Sequence, residues 1–442
     1  MAGALLTDLY ELNMASSYLR RGMNGVATFS LYIRRLPPGR AFVVAAGIDG
    51  CLSWLEELRF EEEELEYLRA LGFDETAIEA FGGLRFTGDV WAVPDGRIVF
   101  AGEPLAEVSA PIAEAQLAET FLLNQLTFHS VVASKAARCR LAGEDRVELV
   151  EFGFRRTQGI EAAMAVARVT ALVGFAATSN VEAARRYGLV PAGTMAHSYI
   201  EAFPTESEAF RAFASDLPGA TTFLVDTYDT LGGVAHAIEV TKQLGIESRA
   251  AIRLDSGDLV TLAREARRML DEAGLKSVRI FVSGALDERD IRRMLDAGAS
   301  IDAVGVGTRL GVSADAPYFD SVYKLVDYDG RPVMKLSVDK VTLPGAKQVF
   351  RAQGMRDLLG LRDEAPPPGS ERMLEHVMSA GRRLGDLPSL ESSRRRFESD
   401  LDALPASLRN LDAAAPAGPE VSPALRALAE ATTDSAVRAG GS

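Results

Sequence analysis

Residues 253–258 combine a guanidinium group and carboxylates within one short turn. They read RLDSGD and follow the apolar run 250–252. Side chains two positions apart on a strand point to the same face, so Arg253 and Asp255 are predicted to lie side by side. An arginine can hold a carboxylate or phosphate through two parallel hydrogen bonds, and an aspartate can hold ribose hydroxyls or a Mg²⁺ shared with a diphosphate. The alternative is an internal Arg253–Asp255 salt bridge that caps the following helix.

Two glycine-containing turns further along the chain could hold phosphate. Ser283 and Gly284 follow the apolar run 278–282, and residues 305–308 read GVGT. Glycine lets the backbone approach a phosphate, and the N-terminus of a following helix supplies amides and partial positive charge. Either turn alone is more typical of ordinary tight-turn chemistry, whereas two at consecutive strand ends are equally consistent with a phosphate site.

His197 lies in the segment GTMAHS, which spans residues 193–198. It could be a nucleophile, a general base or a buried histidine with its hydrogen bonds satisfied. Its predicted place at a strand end facing Asp226 and Asp229 favours a chemical role. A carboxylate on one ring nitrogen would fix the tautomer and make the other nitrogen nucleophilic. Either aspartate could instead be only the N-cap of the helix that begins near Leu231.

These polar clusters follow apolar runs that alternate with helix-period segments from about residue 147 to 310. The runs cover residues 147–152, 173–177, 222–225, 250–252, 278–282 and 301–304. Such alternation predicts a parallel sheet buried on both faces, with ligands at the carboxyl ends of its strands. We therefore predict an irregular β/α barrel with a site for a polyanion carrying a metal. An open, doubly wound sheet is the alternative.

The remaining chain predicts a second, α+β domain built from the N-terminal segment and part of the C-terminal segment. We place it at residues 1–112, completed by about 318–355, with the α/β barrel and its active site at 113–317. Residues 356–442 are rich in Ala, Pro and Arg, and helical spacing at 372–380 and 390–401 predicts a helical, partly flexible extension.

The composition predicts a soluble enzyme of the cytoplasm. The chain has 442 residues, 47% of them hydrophobic and 25% charged, which is ordinary for a globular enzyme. Its net charge of −14 opposes general binding to nucleic acid. Two cysteines exclude a disulfide framework and four scattered histidines show no metal motif. No apolar run reaches the roughly 18 residues of a membrane span, and the N-terminus lacks a basic targeting segment.

Seven ordered motifs resemble those of the nicotinate phosphoribosyltransferases. They are TDLYEL at 7–12, FGFRR at 152–156, TSN at 178–180, GTMAHS at 193–198, DTYDT at 226–230, RLDSGD at 253–258 and GVGT at 305–308. The resemblance implies a type II phosphoribosyltransferase fold that works as a homodimer with shared active sites. It also implies an ATP-dependent enzyme of NAD salvage, classed as a C–N ligase. Nicotinate, phosphoribosyl diphosphate, ATP and water would give nicotinate mononucleotide, diphosphate, ADP and phosphate.

The same resemblance implies roles for individual residues of the pyridine site. Tyr10, reaching in from the neighbouring protomer, and Phe152 would sandwich the pyridine ring of nicotinate. Thr194 and Arg253 would hold its carboxylate. Ser179 would favour nicotinate, because a carboxylate at this position would suit the amide of nicotinamide instead.

Catalytic and phosphate-binding roles are implied in the same way. His197 would take the γ-phosphate of ATP as a phosphohistidine, and Asp226 and Asp255 would serve the ribose and Mg²⁺, with Asp255 as the metal-linked residue. The residues implied at the phosphates are Arg155 and Arg156 near the diphosphate and Ser283, Gly284, Gly305, Gly307 and Thr308 at the 5-phosphate. Ala285 departs from the expected pattern beside Gly284, and no zinc-binding cysteines are present.

Three other functions compete with this interpretation. A nicotinamide phosphoribosyltransferase shares much of the pattern, and Ser179 with Arg253 favours the acid over the amide. A quinolinate phosphoribosyltransferase would need more basic residues for two carboxylates and no nucleophilic histidine. A non-catalytic barrel that binds a phosphate ligand would show no turnover and no ATP hydrolysis.

Overall fold

The computed structural model describes residues 3–217, 219, 221–337, 342–386 and 388–440. The chain forms two compact units. The first unit contains Met1–Val131 together with Tyr318–Ser442, and the second contains Val132–Pro317. In the part of the chain that the structure describes, no helix is both long enough and apolar enough to cross a membrane.

The N-terminal part of the first unit alternates short helices with strands. Its helices are α1 (Leu9–Arg20), α2 (Ile48–Glu57), α3 (Glu62–Ala70), α4 (Glu75–Gly83), α5 (Ile112–Leu117) and the start of α6 (Glu119–Gly143). Its strands are β1 (Val26–Ile33), β2 (Val43–Val44), β3 (Asp89–Ala92), β4 (Ile98–Val99) and β5 (Pro104–Pro111). Strand β1 alternates poorly between faces because nearly every residue in it is buried, as expected for a central strand.

The second unit is built from alternating strands and helices. Its strands are β6 (Glu148–Glu151), β7 (Ala177–Thr178), β8 (Thr221–Leu224), β9 (Ala250–Leu254), β10 (Arg279–Val282) and β11 (Ala303–Val306). Its helices are the end of α6, α7 (Ile160–Leu172), α8 (Val181–Tyr187), α9 (His197–Glu201), α10 (Glu206–Asp216), α11 (Thr230–Leu244), α12 (Leu259–Glu272), α13 (Glu288–Asp296) and α14 (Thr308–Gly311).

The C-terminal part of the chain returns to the first unit and is rich in strands. These are β12 (Ser321–Tyr328), β13 (Arg331–Pro332), β14 (Lys347–Ala352), β15 (Arg356–Leu361), β16 (Glu371–Arg372), β17 (Glu375–Ser379), β18 (Arg382–Arg383) and β19 (Glu420–Val421). Two helices, α15 (Leu390–Ala403) and α16 (Pro423–Gly440), complete it. Strand β12 pairs antiparallel with β1, and the stacked rings of Phe29 and Tyr323, 4.7 Å apart, lock the pair together.

The sheets differ in kind between the two units. The first unit holds a seven-stranded sheet of order β13-β12-β1-β5-β3-β17-β18, a four-stranded sheet of order β16-β14-β15-β19 and the pair β2-β4. The second unit holds one six-stranded sheet of order β7-β6-β11-β10-β9-β8, and its strands pair in parallel throughout. The predicted α/β class is confirmed. Within the described residues the parallel sheet is a curled half-barrel, open between β7 and β8.

The prediction of a helical extension over 356–442 is wrong for its first part. Residues 356–383 contain strands β15 to β18 and the turns between them instead, and helices occur only from α15 onward. Met373, Leu374, Val377 and Met378 have a spacing that also fits a helix. They are strand or turn residues here because β17 pairs with β3, and Met373, Leu374 and Met378 are buried in the core of the first unit. Tertiary pairing overrides the local pattern.

Candidate active site

The face of the parallel sheet that carries Arg253 holds the predicted chemistry. In β9 the side chains of Ala250, Ile252 and Leu254 are buried, whereas Arg253 between them is half-buried on the opposite face. Arg253 pairs in register with Phe281 of β10, so the two side chains share a face. The Phe152 ring, just past β6, packs on Phe281 with 5.4 Å between ring centroids. The alternation of neighbouring strands thus brings one arginine against two aromatic rings.

The Arg253 guanidinium is held by three side chains. Its Nε donates to Ser283 Oγ at 2.7 Å, Nη1 to Thr194 Oγ1 at 2.9 Å and Nη2 to Asp255 Oδ1 at 2.5 Å. Its central carbon lies 5.6 Å from the Phe152 ring centroid. A guanidinium has five N–H groups, so two remain for a ligand after these bonds. The guanidinium is therefore fixed in orientation and can still bind a carboxylate.

The internal Arg253–Asp255 salt bridge exists, but it does not cap the next helix. Helix α12 is capped by Asp258, whose carboxylate accepts hydrogen bonds from the backbone and hydroxyl of Thr261. Asp255 is left to orient the arginine. The salt bridge thus fixes the orientation of the Arg253 guanidinium, and two of its N–H groups remain for a ligand.

Asp255 keeps its negative charge over a wide pH range. Burial acts to raise the pKa of its carboxyl, but a hydrogen bond from Ser283 Oγ and the charges of Arg253 and His197 outweigh it and lower the pKa. An ionised carboxylate in this position can stabilise a positive charge that develops on a bound substrate.

Asp226 lies just past β8, and only one of its two carboxylate oxygens accepts hydrogen bonds from described residues. Its Oδ2 accepts from the Asp255 backbone N–H at 3.2 Å and from Ser256 Oγ at 2.5 Å. Its Oδ1 is buried and accepts no hydrogen bond from any described residue. A buried carboxylate oxygen without a donor is costly unless a cation or donor reaches it. Asp226 is therefore suited to hold a divalent cation together with ligand oxygens.

Within the described residues, the His197 ring is hydrogen-bonded to a hydroxyl and not to the carboxylate that the sequence predicted. His197 is the first residue of α9, and its Nδ1 lies 3.1 Å from the hydroxyl oxygen of Thr227. Asp229 is engaged elsewhere, as the N-cap that accepts from the Gly232 N–H at 2.7 Å. The expectation of a hydrogen bond from Asp226 or Asp229 to the ring is wrong. Asp229 caps α11, and Asp226 holds the 255–256 turn through Oδ2.

The glycine turns lie where backbone approaches backbone. A Cβ on Gly284, which has φ +110°, would lie 2.2 Å from the Asp255 carbonyl oxygen, and one on Gly307 would lie 2.7 Å from that of Phe152. Ala285 follows with φ +53°, a left-handed conformation that is uncommon for a residue with a Cβ. Thr308 is exposed and begins α14 after β11, and Ser283 and Gly284 follow the neighbouring strand β10. Both turns thus lie along the same sheet edge.

Gly305 has a different structural reason from the other glycines. A Cβ there would lie 2.8 Å from Cδ2 of Phe152 and 2.9 Å from the Phe281 ring. The residue therefore makes room for the aromatic pair beside Arg253, and it is buried within β11 rather than in the following turn.

Substituting Gly305 by Ala is expected to displace the Phe152 ring. The free energy of unfolding should fall by about 1–3 kcal/mol, because the new methyl group meets two rings in a packed core. Urea denaturation monitored by circular dichroism would measure it. Gly193→Ala is the matched control, since a Cβ there meets nothing within 4 Å, and an equal loss in both variants would contradict the packing role.

Arg155 and Arg156 provide uncompensated positive charge after β6. Both are exposed in the 3₁₀ turn Phe154–Arg156, and within the described residues neither guanidinium group forms an ion pair or a hydrogen bond. Ser179 follows β7, half-buried, with its N–H bonded to the Glu151 carbonyl at 2.8 Å. These residues border the same carboxyl edge, with the arginines available to an anion.

Sequence reasoning missed Glu151, the last residue of β6. It is buried, its Oε2 accepts from Thr178 Oγ1 at 2.5 Å, and its Oε1 accepts from the Gly153 N–H. Burial raises the pKa of the Glu151 carboxyl. The side chain ties β7 to the turn that presents Phe152 and the two arginines. An acidic residue inside an apolar run, immediately before FGFRR, is the signal that could have found it.

Tyr10 belongs to the first unit, where it lies in α1 with 45% of its surface exposed. Partial burial raises the pKa of its hydroxyl, and the nearby carboxylates of Glu119 and Glu11 raise it further. Its role as a side chain offered to another protomer stays a prediction.

One edge of the curled parallel sheet carries a fixed arginine, two carboxylates, a histidine and glycine turns. Together these groups define an α/β enzyme for an anionic substrate. Residues 5–127 match the nicotinate phosphoribosyltransferase (NAPRTase) N-terminal domain, and residues 147–353 match the NAPRTase family. The chain belongs to the nicotinate phosphoribosyltransferase family.

Individual relatives show the same likeness over most of the chain. Nicotinate phosphoribosyltransferase pncB2 of Mycobacterium tuberculosis is 49% identical, covering 93% of this chain and 89% of that protein. The Bacillus subtilis nicotinate phosphoribosyltransferase is 43% identical, over 79% of this chain and 73% of its own. The crystal structure of human nicotinic acid phosphoribosyltransferase superposes with a TM-score of 0.85 at 30% identity, covering 96% of this chain and 99% of that one.

Proposed function

We propose that this chain joins nicotinate to phosphoribosyl diphosphate, giving nicotinate mononucleotide and diphosphate in NAD salvage, with ATP hydrolysis coupled to the transfer. The observation that carries the proposal is Arg253, held by three side chains beside the Phe152 ring. A fixed guanidinium next to an aromatic face suits a flat ring that bears a carboxylate. The family membership of the chain supports the same substrate.

Nicotinate would lie with its carboxylate on the two free N–H groups of Arg253 and its ring against Phe152. The Thr194 hydroxyl accepts from Arg253 and donates to the Met195 carbonyl at 3.1 Å, so a hydrogen bond to the ligand carboxylate would replace the one to Met195. Ser179 borders the site with a hydroxyl, which does not repel an anion as a carboxylate would. These contacts select the acid over the amide.

Transfer would begin with attack by the pyridine nitrogen on the anomeric carbon of the ribose. The bond to diphosphate breaks, and positive charge develops on the sugar as in glycoside hydrolysis. Asp226 and Asp255 offer negative charge for that state, and the lowered pKa of Asp255 keeps its carboxylate ionised. The exposed guanidinium groups of Arg155 and Arg156 would hold the leaving diphosphate.

The residues present fit a Mg²⁺ ion that arrives with the diphosphate. Asp226 offers a buried oxygen without a donor, and Mg²⁺ is commonly held by one or two carboxylates together with substrate phosphates. Asp226 would hold it with Asp255, and the ion would neutralise charge on the leaving group. The 5-phosphate would rest on the turns at Ser283, Gly284, Gly307 and Thr308. The Ser283 N–H already donates to the Leu254 carbonyl at 2.9 Å, so the N–H groups of Gly284, Gly307 and Thr308 would bind the phosphate.

His197 would accept the γ-phosphate of ATP as a phosphohistidine. Its Nδ1 faces the Thr227 hydroxyl, which fixes the ring and leaves Nε2 as the nucleophile. Hydrolysis of the phosphohistidine then drives the condensation of nicotinate with phosphoribosyl diphosphate if the phosphorylated and free enzyme bind substrates and products with different affinities.

The active enzyme would be a cytoplasmic homodimer in which Tyr10 of one protomer completes the pyridine site of the other. Leu6, Leu9 and Tyr10 are exposed by 51%, 55% and 45% at the start of the chain. Apolar side chains clustered on a surface are suited to cover by another chain.

A product assay tests the proposed substrate. Nicotinate, nicotinamide and quinolinate are each incubated with phosphoribosyl diphosphate, Mg²⁺ and ATP, and mononucleotides are identified by mass spectrometry. We expect a mononucleotide product only in the incubation with nicotinate, and not in those with nicotinamide or quinolinate. If nicotinamide were turned over faster than nicotinate, the amide-specific reaction would replace the proposal. If the chain bound phosphoribosyl diphosphate but formed no mononucleotide from any of the three bases, a binding function would replace it.

Substituting Ser179 by Asp is expected to shift specificity toward nicotinamide. The new carboxylate would repel nicotinate and accept from an amide, so the ratio of kcat/KM for nicotinate over nicotinamide should fall about a hundredfold. Initial rates with both bases measure the ratio. Ser277→Asp, an exposed serine before β10, is the control and should leave it unchanged. An unchanged ratio in Ser179→Asp would remove this residue from the selectivity account.

A further inference from the structure

Acidic side chains follow closely on one of the turns that would hold the 5-phosphate. The turn at Gly284 leads into α13, whose first residues, 287–290, read DERD, and the turn at Gly307 leads into α14, which contains Arg309. Strands β10 and β11 pair in parallel, so both helices begin at the same edge of the sheet. A phosphate group carries more than one negative charge at pH 7. Carboxylates beside it would therefore weaken its binding unless their charge is compensated.

Glu288, one of these acids, is compensated from another side. It is 1% exposed, and it lies 2.5 Å from Lys135 Nζ and 2.8 Å from Arg138 Nε. Both basic residues belong to α6. The charge of Glu288 is thus buried and paired against α6.

The other two acids, Asp287 and Asp290, form the capping box of α13. Asp287 Oδ1 accepts from the backbone N–H groups of Arg289 and Asp290, at 2.9 and 3.2 Å. In return, Asp290 Oδ2 accepts from the Asp287 N–H at 3.3 Å. Capping bonds of this kind satisfy the free amides of a helix start. Both carboxylates are therefore fixed near the phosphate turn and cannot rotate away without uncapping the helix.

Arg309 compensates both capping carboxylates at once. Its Nη1 donates to Asp287 Oδ2 and to Asp290 Oδ2, each at 3.0 Å. The side chains of the two acids are only 17% and 21% exposed, so water screens them incompletely. Arg293 pairs with Asp290 at 2.9 Å, and the two guanidinium groups thus balance the two carboxylates. Without Arg309 this group of four would carry one excess negative charge.

We propose that Arg309 is a positioning residue of the phosphate site, which acts through Asp287 and Asp290. By pairing with both, it keeps their charges from repelling the 5-phosphate of phosphoribosyl diphosphate. Charges on a protein surface interact over about 10 Å at an ionic strength of about 0.1 M. The proposal rests on the function proposed above, because it takes the turns at Gly284 and Gly307 as the phosphate site.

Steady-state kinetics of Arg309→Gln test the proposal. Glutamine can still donate to one carboxylate but has no charge. The KM for phosphoribosyl diphosphate should rise about threefold to tenfold at low ionic strength, and the rise should shrink as NaCl increases from about 0.05 to about 0.5 M. The kcat and the KM for nicotinate should stay unchanged. An unchanged KM for phosphoribosyl diphosphate, or a rise that salt does not reduce, would overturn the proposal.

Arg279→Gln is the matched control for this variant. Arg279 belongs to the same unit, is exposed to a similar degree as Arg309 and pairs with Glu148 at the amino ends of the strands. Its substitution should leave the KM for phosphoribosyl diphosphate unchanged. Equal rises in the two variants would show a general effect of lost positive charge and would overturn the proposal.

Removal of one carboxylate separates repulsion from mere support of α13. Asp290→Asn keeps an acceptor for the helix cap, and in combination with Arg309→Gln it should return the KM to within about twofold of the unaltered value. Asp290→Asn alone should lower the KM about twofold, because Arg309 then faces one carboxylate. A raised KM in Asp290→Asn would overturn the proposal even if Arg309→Gln failed to fold.

Ribose 5-phosphate tests the same point without turnover. Calorimetric titration should show about threefold or weaker binding of this probe to Arg309→Gln than to the unaltered chain, at low ionic strength. Equal binding of ribose 5-phosphate to both would overturn the role of Arg309 alone. Absence of mononucleotide from the unaltered chain would instead contradict the proposed function.

Discussion

Replacing Arg253 by Lys is expected to lower kcat/KM for nicotinate about a hundredfold or more. Lysine keeps the positive charge but has one ammonium group in place of the planar fork. It cannot donate to Thr194, Ser283 and Asp255 together and still offer two parallel N–H groups to a carboxylate. Steady-state kinetics with nicotinate as the varied substrate measure the loss.

The specificity of that loss separates binding from folding. Nicotinamide lacks the carboxylate, so its poor turnover should change far less than that of nicotinate. Arg279→Lys is the matched control, because Arg279 lies at the amino end of β10 and forms an exposed ion pair with Glu148; exposed pairs contribute little. Equal losses for acid and amide in Arg253→Lys would show that Arg253 supports the sheet rather than the substrate carboxylate.

Replacing His197 by Asn is expected to abolish phosphoenzyme formation. Asparagine can still contact Thr227 but has no nucleophilic ring nitrogen, so label from [γ-³²P]ATP should no longer be retained on the protein. ATP hydrolysis during turnover should fall about a thousandfold or more, as for removal of a covalent nucleophile. Nicotinate mononucleotide formation should drop to the rate measured without ATP.

A second histidine provides the control for this result. His376→Gln alters a ring that stacks on Trp91 in the first unit, with 4.3 Å between centroids, and it should keep full labelling. Retained ATP coupling in His197→Asn would exclude a phosphohistidine at this position. Loss of labelling in both variants would trace the effect to folding.

Much of the second unit could be predicted because its strands end in informative residues. Each apolar run stops at a polar or glycine turn, and parallel strands place their carboxyl ends on one edge. Alternation along β9 was enough to put Arg253 and Asp255 on one face. The closeness of Phe152 to Arg253 depends on the register of β6, β11, β10 and β9, which a single sequence does not reveal.

Other features depend on partners that lie far apart along the chain. The motif DTYDT does not reveal which of its residues caps the next helix and which faces His197. The sequence therefore did not predict that Asp229 is the cap and that Thr227 contacts His197. Glu151 was missed since its partner Thr178 becomes a neighbour only once β6 and β7 pair. The strands at 356–383 were missed because their apolar spacing also fits a helix and only pairing with the N-terminal part decides between them.

The most direct test of the account is a crystal structure of the chain with nicotinate mononucleotide bound. We predict that the pyridine carboxylate lies within hydrogen-bonding distance of the Arg253 guanidinium, with the ring on Phe152. The 5′-phosphate should lie on the turns at Gly284 and Gly307. A nucleotide bound at the amino ends of the strands, or within the first unit, would contradict the account.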